Sequence, residues 1–232
     1  MASPLVLSAF LSSTLFGIQK TTLNKLGGES GIRDEFIAGC TAGGSAAIFT
    51  APMELAKIQL QIQRNEILTN PKTHLKGAID FYKRVIKMEG IRGPYRGFLV
   101  TVCRSTPGCG VYFSTYYYIN SLFVKPGETI NNVGPLPLLI AGGIAGVAFW
   151  LSVYPVDYVK SRIQAQPIGD PKLRLTAFQC IKQCYNYGGI RIFYGGLSAT
   201  LARAVPANAA TLATVTMMTR LLKRNNEVVD ES

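Results

Sequence analysis

The chain has 232 residues, of which 48% are hydrophobic and only 16% are charged, and its formal net charge is +11. A soluble domain usually carries about a quarter charged residues, so this composition argues against a soluble enzyme. The abundance of aliphatic and aromatic residues excludes intrinsic disorder. The basic residues fall between long apolar runs rather than in one aromatic-lined patch, which favours a basic membrane protein over a nucleic-acid-binding one.

In chain order, five apolar stretches approach the ~20 residues that a helix needs to cross a bilayer. These stretches are 3–18, 36–56, 98–124, 134–159 and 197–222. The first begins almost at Met1 with no basic region before it, so we expect no cleavable signal. Two long polar connections contain helix-like stretches at about 76–88 and 174–186, and they hold most of the Lys and Arg residues. This uneven distribution of basic residues places both long connections on one side of the membrane.

The sequence repeats itself at an interval of about 100 residues, which is typical of an array of similar structural units. The run AGCTAG at 38–43 recurs as AGGIAG at 141–146, and PMELAK at 52–57 recurs as PVDYVK at 155–160. Each unit consists of a span, a basic connection with a short helix, and a second span. We therefore divide the chain into the second half of a first repeat, two whole repeats and a polar tail. Their boundaries are 1–30, 31–125, 132–224 and 225–232.

Glu54 and Asp157 are the only acidic residues inside the five apolar stretches. Each stands two residues after a proline and three before a lysine, Lys57 or Lys160. Charges inside a membrane are costly and are usually paired or functional, and a proline inside a helix kinks it. Two interpretations are open. The acid and base form a local pair one helical turn apart, or the kinked helices exchange ion pairs between repeats and form a gate, which the repetition favours.

This pattern resembles the signature of the mitochondrial carrier (solute carrier 25) family, which is Pro-x-acid-x-x-base-x-base followed by acid-Gly-x4-aromatic-base-Gly. The first part is matched by Pro155, Asp157, Lys160 and Arg162, and the second by the segment 89–97. In the other copy of the first part, Gln59 replaces the second base, and the last copy of the second part, 188–196, lacks the acid and the base. The small-residue runs resemble the family's helix-packing motif. The similarity is particularly to the carnitine/acylcarnitine and basic-amino-acid branch.

The resemblance implies an all-α membrane protein with the carrier fold, a multi-pass location in the mitochondrial inner membrane, and no cofactor. The family has six tilted helices with threefold pseudosymmetry. We expect five of them here, without the first, plus two short matrix helices. The resemblance also implies a matrix gate formed by Glu54, Lys57, Asp157 and Lys160, with Gln61 and Gln164 as glutamine braces.

The opposite, cytoplasmic gate is expected to close with little electrostatic attraction. Family members place an acid and a base at the ends of the even-numbered helices, and this chain has no acid there. The residues at those positions are Gln19, Lys20 and Leu23, then Tyr116, Tyr117 and Asn120, then Val215, Thr216 and Thr219.

The predicted substrate site is centred on Arg104 and Arg203, which stand at equivalent positions inside apolar spans. An arginine there is expected to face a polar cavity, where its guanidinium can capture a carboxylate or phosphate. The alternative is that each arginine only braces backbone carbonyls beside the proline three residues on. The resemblance adds Ser8 and Ser105 as contact positions. Trp150, the one tryptophan, is interpreted either as a cation–π partner for an ammonium group or as a packing residue.

These residues predict a solute carrier that moves a small carboxylate-bearing amine, such as an amino acid, carnitine or acylcarnitine, by alternating access. A truncated, transport-inactive form that acts through association with other membrane proteins is the alternative. A membrane enzyme has little support, because the lone His74 lies in a polar connection without a nucleophile–base pair. We expect a monomer that binds cardiolipin at helix N-termini, near Gly77, Gly97 and Gly196.

The five cysteines stand at 40, 103, 109, 180 and 184 and show no CxxC spacing. Cys180 and Cys184 are four residues apart, which could place both thiols on one helix face. A metal or redox role for them is the lesser interpretation, since zinc sites normally show tighter ligand clusters.

Overall fold

The computed structural model describes residues 2–27, 31–66, 77–123, 135–166 and 175–202. All regular structure in these ranges is helical, so the predicted all-α fold is confirmed. The helices are α1 (Ala2–Lys25), α2 (Ile32–Glu66), α3 (Ala78–Glu89), α4 (Phe98–Ser121), α5 (Pro135–Gln164) and α6 (Ala177–Gly188). Short 3-10 turns at Gly93–Tyr95 and Ile190–Tyr194 lead into α4 and into a last helical segment, 197–202. The rest of the fifth predicted span, from 203 onward, lies outside the described residues.

The helices α2 and α5 continue well beyond the predicted spans. They have 35 and 30 residues and each contains a proline, Pro52 or Pro155. At 1.5 Å per residue α2 is about 50 Å long, whereas the hydrocarbon core is about 30 Å thick. The helices therefore extend past the ends of the predicted spans at 56 and 159, because the polar segment that follows stays helical. Segments Ile32–Ile62 and Leu136–Gln164 are long and apolar enough to cross a bilayer.

The small-residue run of α2 allows its backbone to approach α4 closely. A Cβ atom on Gly39 would lie 2.6 Å from the carbonyl oxygen of Cys109, and one on Gly43 would overlap the carbonyl oxygen of Ser105. The second small-residue run, 141–146 on α5, makes no such close backbone approach at Gly142 within the described part of the chain. A Cβ on Gly142 would have no described neighbour within 4 Å. The contact between α4 and α5 instead passes through Gly108, where a Cβ would lie 2.6 Å from Val153.

The two short helices α3 and α6 pack in the same way against the ends of α2 and α5. On α3, Phe81 and Val85 are buried against Leu55 of α2. On α6, Cys180 and Cys184 are buried against α5 and Phe193. The two thiols thus share one helix face, as their spacing predicted, and they occupy the place that apolar side chains take in α3. Burial raises the pKa of the Cys180 thiol to about 11, so it is protonated at neutral pH.

Candidate functional site

A cavity of about 230 Å³ lies where α2, α4 and α5 meet, beside the prolines of α2 and α5. Its lining combines residues that the sequence assigned to two different sites, the matrix gate and the substrate site. The residues that line the cavity are Glu54, Lys57, Ile58, Gln61, Arg104, Trp150, Asp157, Lys160 and Ser161. The predicted gate and part of the predicted substrate site therefore share one cavity.

Arg104 on α4 is the central cation of this cavity. Its Nε lies 2.6 Å from Oδ1 of Asp157 on α5, and its Nη1 lies 3.8 Å from Oε1 of Glu54 on α2. The arginine side chain is 14% exposed, whereas those of Asp157 and Glu54 are 31% and 34% exposed, so solvent screens these charges in part. Arg104 therefore contacts carboxylates on both proline-containing helices, α2 and α5.

A second ion pair crosses between the repeats. The ammonium group of Lys160 donates a hydrogen bond to Oε2 of Glu54, which joins α5 to α2. The lysine side chain is buried, as expected for a base whose charge is neutralised by a partner. Lys57, one turn after Glu54, forms no ion pair with any residue that the structure describes. In the described part of the chain, Glu54 contacts Lys160 of the following repeat and Arg104 of α4, and not Lys57 of its own helix.

Trp150 and Phe149 place aromatic rings beside the same guanidinium. The Cζ atom of Arg104 lies 5.8 Å from the ring centre of Trp150 and 5.7 Å from that of Phe149. Both distances are within the range of a cation–π interaction. The ring of Trp150 at the cavity wall can therefore face a cation, whether it is Arg104 or an ammonium group that replaces it.

The other predicted substrate residues are not brought into this cavity by the described coordinates. Ser105 lies next to Arg104 on α4, but its carbonyl oxygen faces Gly43 and it is not among the described residues that line the cavity. Arg203 and the side chain of Ser8 lie outside the described residues.

Gln59, which the sequence marked only as a departure from the signature, joins α2 to the end of α5. Its Nε2 donates to the carbonyl oxygens of Gln164 and Gln166, at 2.5 and 2.9 Å. The last four carbonyls of a helix lack partners within it, so Gln59 supplies donors where α5 ends. A glutamine at a position where the motif requires a base is the sequence signal that could have indicated this role.

Arg96 strengthens the same connection from the turn before α4. Its Nη2 donates to the carbonyl oxygen of Ile163 at 3.2 Å and to Oε1 of Gln166 at 3.3 Å, and its Nη1 lies 3.9 Å from Glu89. In the last repeat the acid and base of this motif are absent. There the hydroxyl of Tyr154 donates to the carbonyl oxygen of Gly195 at 3.1 Å, so α5 is tied to the following turn by another route.

The two predicted glutamine braces differ in their surroundings. Gln61 is exposed and lines the cavity. The side chain of Gln164 is fully buried against Gly97, and neither its nitrogen nor its oxygen has a hydrogen-bond partner among the described residues.

The three glycines predicted to contact lipid all precede helices. Gly77 and Gly97 stand at the N-caps of α3 and α4, with no side-chain cap at either helix, and Gly196 precedes 197–202. Helix α6 begins differently. Thr176 is its N-cap and forms a capping box with Gln179.

Glu35 joins the start of α2 to α1. Oε2 of Glu35 in the first turn of α2 accepts a hydrogen bond of 2.8 Å from Nε2 of Gln19 on α1. Glu35 is buried at the start of α2, one residue before the predicted span 36–56.

Comparison with known proteins gives consistent matches. Residues 28–127 and 131–226 match the family of mitochondrial carrier proteins. The chain is 42% identical over 221 residues to the mitochondrial basic amino acids transporter of Bos taurus, covering 94% of this chain and 71% of that protein. The human protein of the same name shows 42% identity, with coverages of 94% and 70%. Solute carrier family 25 member 45 of Mus musculus is 32% identical, with coverages of 95% and 79%.

Proposed function

Because this chain belongs to the mitochondrial carrier family, we propose that it exchanges basic amino acids by alternating access. A member of this family is a multi-pass solute carrier of the mitochondrial inner membrane. The substrate class is our proposal, and one observation carries it. The cavity holds Arg104 between the carboxylates of Asp157 and Glu54, so groups of both charges are within reach of one small molecule.

The charges of the cavity are complementary to a molecule that has both a carboxylate and a cationic group. A guanidinium binds a carboxylate through charge-assisted hydrogen bonds. Glu54 and Asp157 can bind an ammonium or guanidinium group, and the face of Trp150 can stabilise the same cation. In the same proposal, Ser105, Ser8 and Arg203 contribute further substrate contacts.

The size of the cavity favours a small substrate. Its volume is about 230 Å³, below the roughly 300–1,000 Å³ of pockets that hold drug-sized ligands. An amino acid is a better match than an acylcarnitine with a long chain. The names of the relatives at 40–42% identity support a basic amino acid rather than carnitine.

Binding and gating are coupled in this proposal because Arg104 takes part in both. The carboxylate of the substrate replaces Asp157 at the guanidinium of Arg104. The cationic group of the substrate then pairs with the carboxylate of Asp157. Contact of that cation with Glu54 then weakens the pair between Glu54 and Lys160, and the connection between α2 and α5 loosens. A ligand shifts a conformational equilibrium only by its differential affinity for the two states, and this exchange of partners supplies the difference.

We further propose that the protein works as a monomer and binds cardiolipin near Gly77, Gly97 and Gly196. The uncapped amide groups at the starts of α3 and α4 support this for the first two glycines, because helix N-termini attract phosphate. At the start of α6 the capping box already uses the corresponding donors.

A substrate panel in proteoliposomes tests the function. Vesicles that contain the purified protein and internal L-arginine are given radiolabelled L-arginine, L-lysine, L-carnitine or malate. We expect rapid uptake of arginine and lysine that depends on the internal amino acid, slower uptake of carnitine, and none of malate beyond protein-free vesicles. Uptake of malate in preference to both amino acids would overturn the proposed substrate class, and no uptake of any compound would overturn the transport function.

A further inference from the structure

Lys57 differs from the other two bases that line the cavity. Arg104 and Lys160 are engaged with Glu54 and Asp157. The side chain of Lys57 lines the same cavity, is exposed, and pairs with no acid in the described part of the chain. It stands one helical turn beyond Glu54 on α2, so its ammonium group is attached to the wall of the proposed substrate site.

The charges around the cavity are unequal among the described residues. Three bases, Lys57, Arg104 and Lys160, face two acids, Glu54 and Asp157. Both acids already contact Arg104 or Lys160. The remaining positive charge has no described counter-ion, and a carboxylate is the group that would neutralise it.

Lys57 can also accept a carboxylate at a lower cost than Arg104. An ammonium group has three hydrogen-bond donors and no acceptor. For Arg104 to bind the substrate, the 2.6 Å contact with Asp157 must first be broken. Lys57 has no such described contact to give up, so it can hold the carboxylate before the exchange at Arg104 takes place.

We infer that Lys57 determines specificity by receiving the substrate's carboxylate. This assignment rests on the proposed function and adds a role that an ion-pair gate does not require. A lysine that only closed the gate would be insensitive to whether the substrate has a carboxylate. A lysine that binds the carboxylate would distinguish an amino acid from its amide.

The test compares binding of L-arginine and L-argininamide, which has a neutral carboxamide in place of the carboxylate. Dissociation constants are measured by calorimetry with the full chain in lipid nanodiscs. We expect Lys57→Gln to weaken L-arginine binding about tenfold and L-argininamide binding less than about twofold, as for loss of one charge-assisted hydrogen bond. Lys57→Arg should keep L-arginine binding within about threefold of the original protein, because the positive charge is retained.

The control is Lys87→Gln, which removes an exposed lysine from the last turn of α3, away from the cavity. It should change neither constant, and equal thermal midpoints for the variants would establish that all are folded. Equal weakening of both ligands by Lys57→Gln, or unchanged L-arginine binding, would overturn the role of Lys57 and leave the proposed function intact. If the original protein bound neither L-arginine nor L-argininamide, the proposed function would be overturned and this assignment with it.

Discussion

The guanidinium of Arg104 and the carboxylate of Asp157 are 2.6 Å apart, so α4 is linked to α5 two residues after Pro155. The sequence placed Arg104 in the substrate site and Asp157 in the gate. In the proposed function, a substrate carboxylate competes with Asp157 for the guanidinium. Binding and loosening of the predicted matrix gate are, in that proposal, two consequences of one exchange.

A double-mutant cycle measures the strength of this contact. Arg104→Gln and Asp157→Asn are each expected to lower stability, and the double variant should lose less than the sum of the two. A coupling of about 1–2 kcal/mol is expected for a contact of this kind. Thermal midpoints and unfolding enthalpies of the four proteins in one detergent give the coupling free energy.

The matched control cycle uses Arg84 and Asp80 on α3, whose atoms are 3.0 Å apart and whose side chains are 42% and 31% exposed. Such exposed pairs one turn apart are worth about 0.3–0.5 kcal/mol. A coupling free energy for Arg104 and Asp157 no larger than in this control would contradict the proposal that a substrate must displace a stabilising contact to reach Arg104.

Gln59 should stabilise the connection between α2 and the end of α5. Gln59→Ala removes the donor from the carbonyl oxygens of Gln164 and Gln166. An unsatisfied buried acceptor costs about 1–3 kcal/mol, so the free energy of unfolding should fall by that amount. The exposed Gln183 on α6 provides the comparison, since Gln183→Ala should leave the free energy of unfolding unchanged within about 0.5 kcal/mol. Equal effects of the two substitutions would argue against this bond.

The glycines of α2 should differ in their tolerance of a methyl group. A Cβ on Gly43 overlaps the backbone of α4 at Ser105, whereas a Cβ on the neighbouring Gly44 meets only the side-chain hydroxyl of Thr106, at 3.2 Å. Because backbone cannot move aside as a side chain can, Gly43→Ala should destabilise the protein by about 1–3 kcal/mol and Gly44→Ala by clearly less. Thermal denaturation of both variants checks this order, and a reversed order would show that α2 and α4 do not approach at Gly43.

The thiol of Cys180 should make the stability of the protein depend on pH in the alkaline range. Burial raises its pKa from the ordinary value of 9.0 to about 11. Above pH 9 the unfolded chain loses this proton before the folded protein does, so the contribution to stability is complete below pH 9 and is lost as pH rises towards 11. Thermal midpoints between pH 8 and 10 should therefore fall less steeply in Cys180→Ala than in the original protein. Parallel pH profiles would contradict the raised pKa.

Much of the fold could be predicted from local sequence, and the contacts of the site could not. The short matrix helices α3 and α6 began within three residues of prediction, because helical periodicity is a local property. The partner of Arg104 was not predictable, since it depends on how α4 is rotated against α5. The role of Gln59 was hidden for the same reason, because its partners are backbone carbonyls of another repeat.

The central claim is that Arg104 takes part in the exchange of a basic amino acid, and counter-exchange of L-arginine in proteoliposomes tests it most directly. We expect Arg104→Ala to lower the initial rate at least about tenfold, and Arg203→Ala at the equivalent position of the last repeat to act in the same direction. Arg92→Ala, which removes an exposed arginine from the turn before α4, should keep the original rate. Arginine exchange by Arg104→Ala at the rate of the original protein would contradict the account.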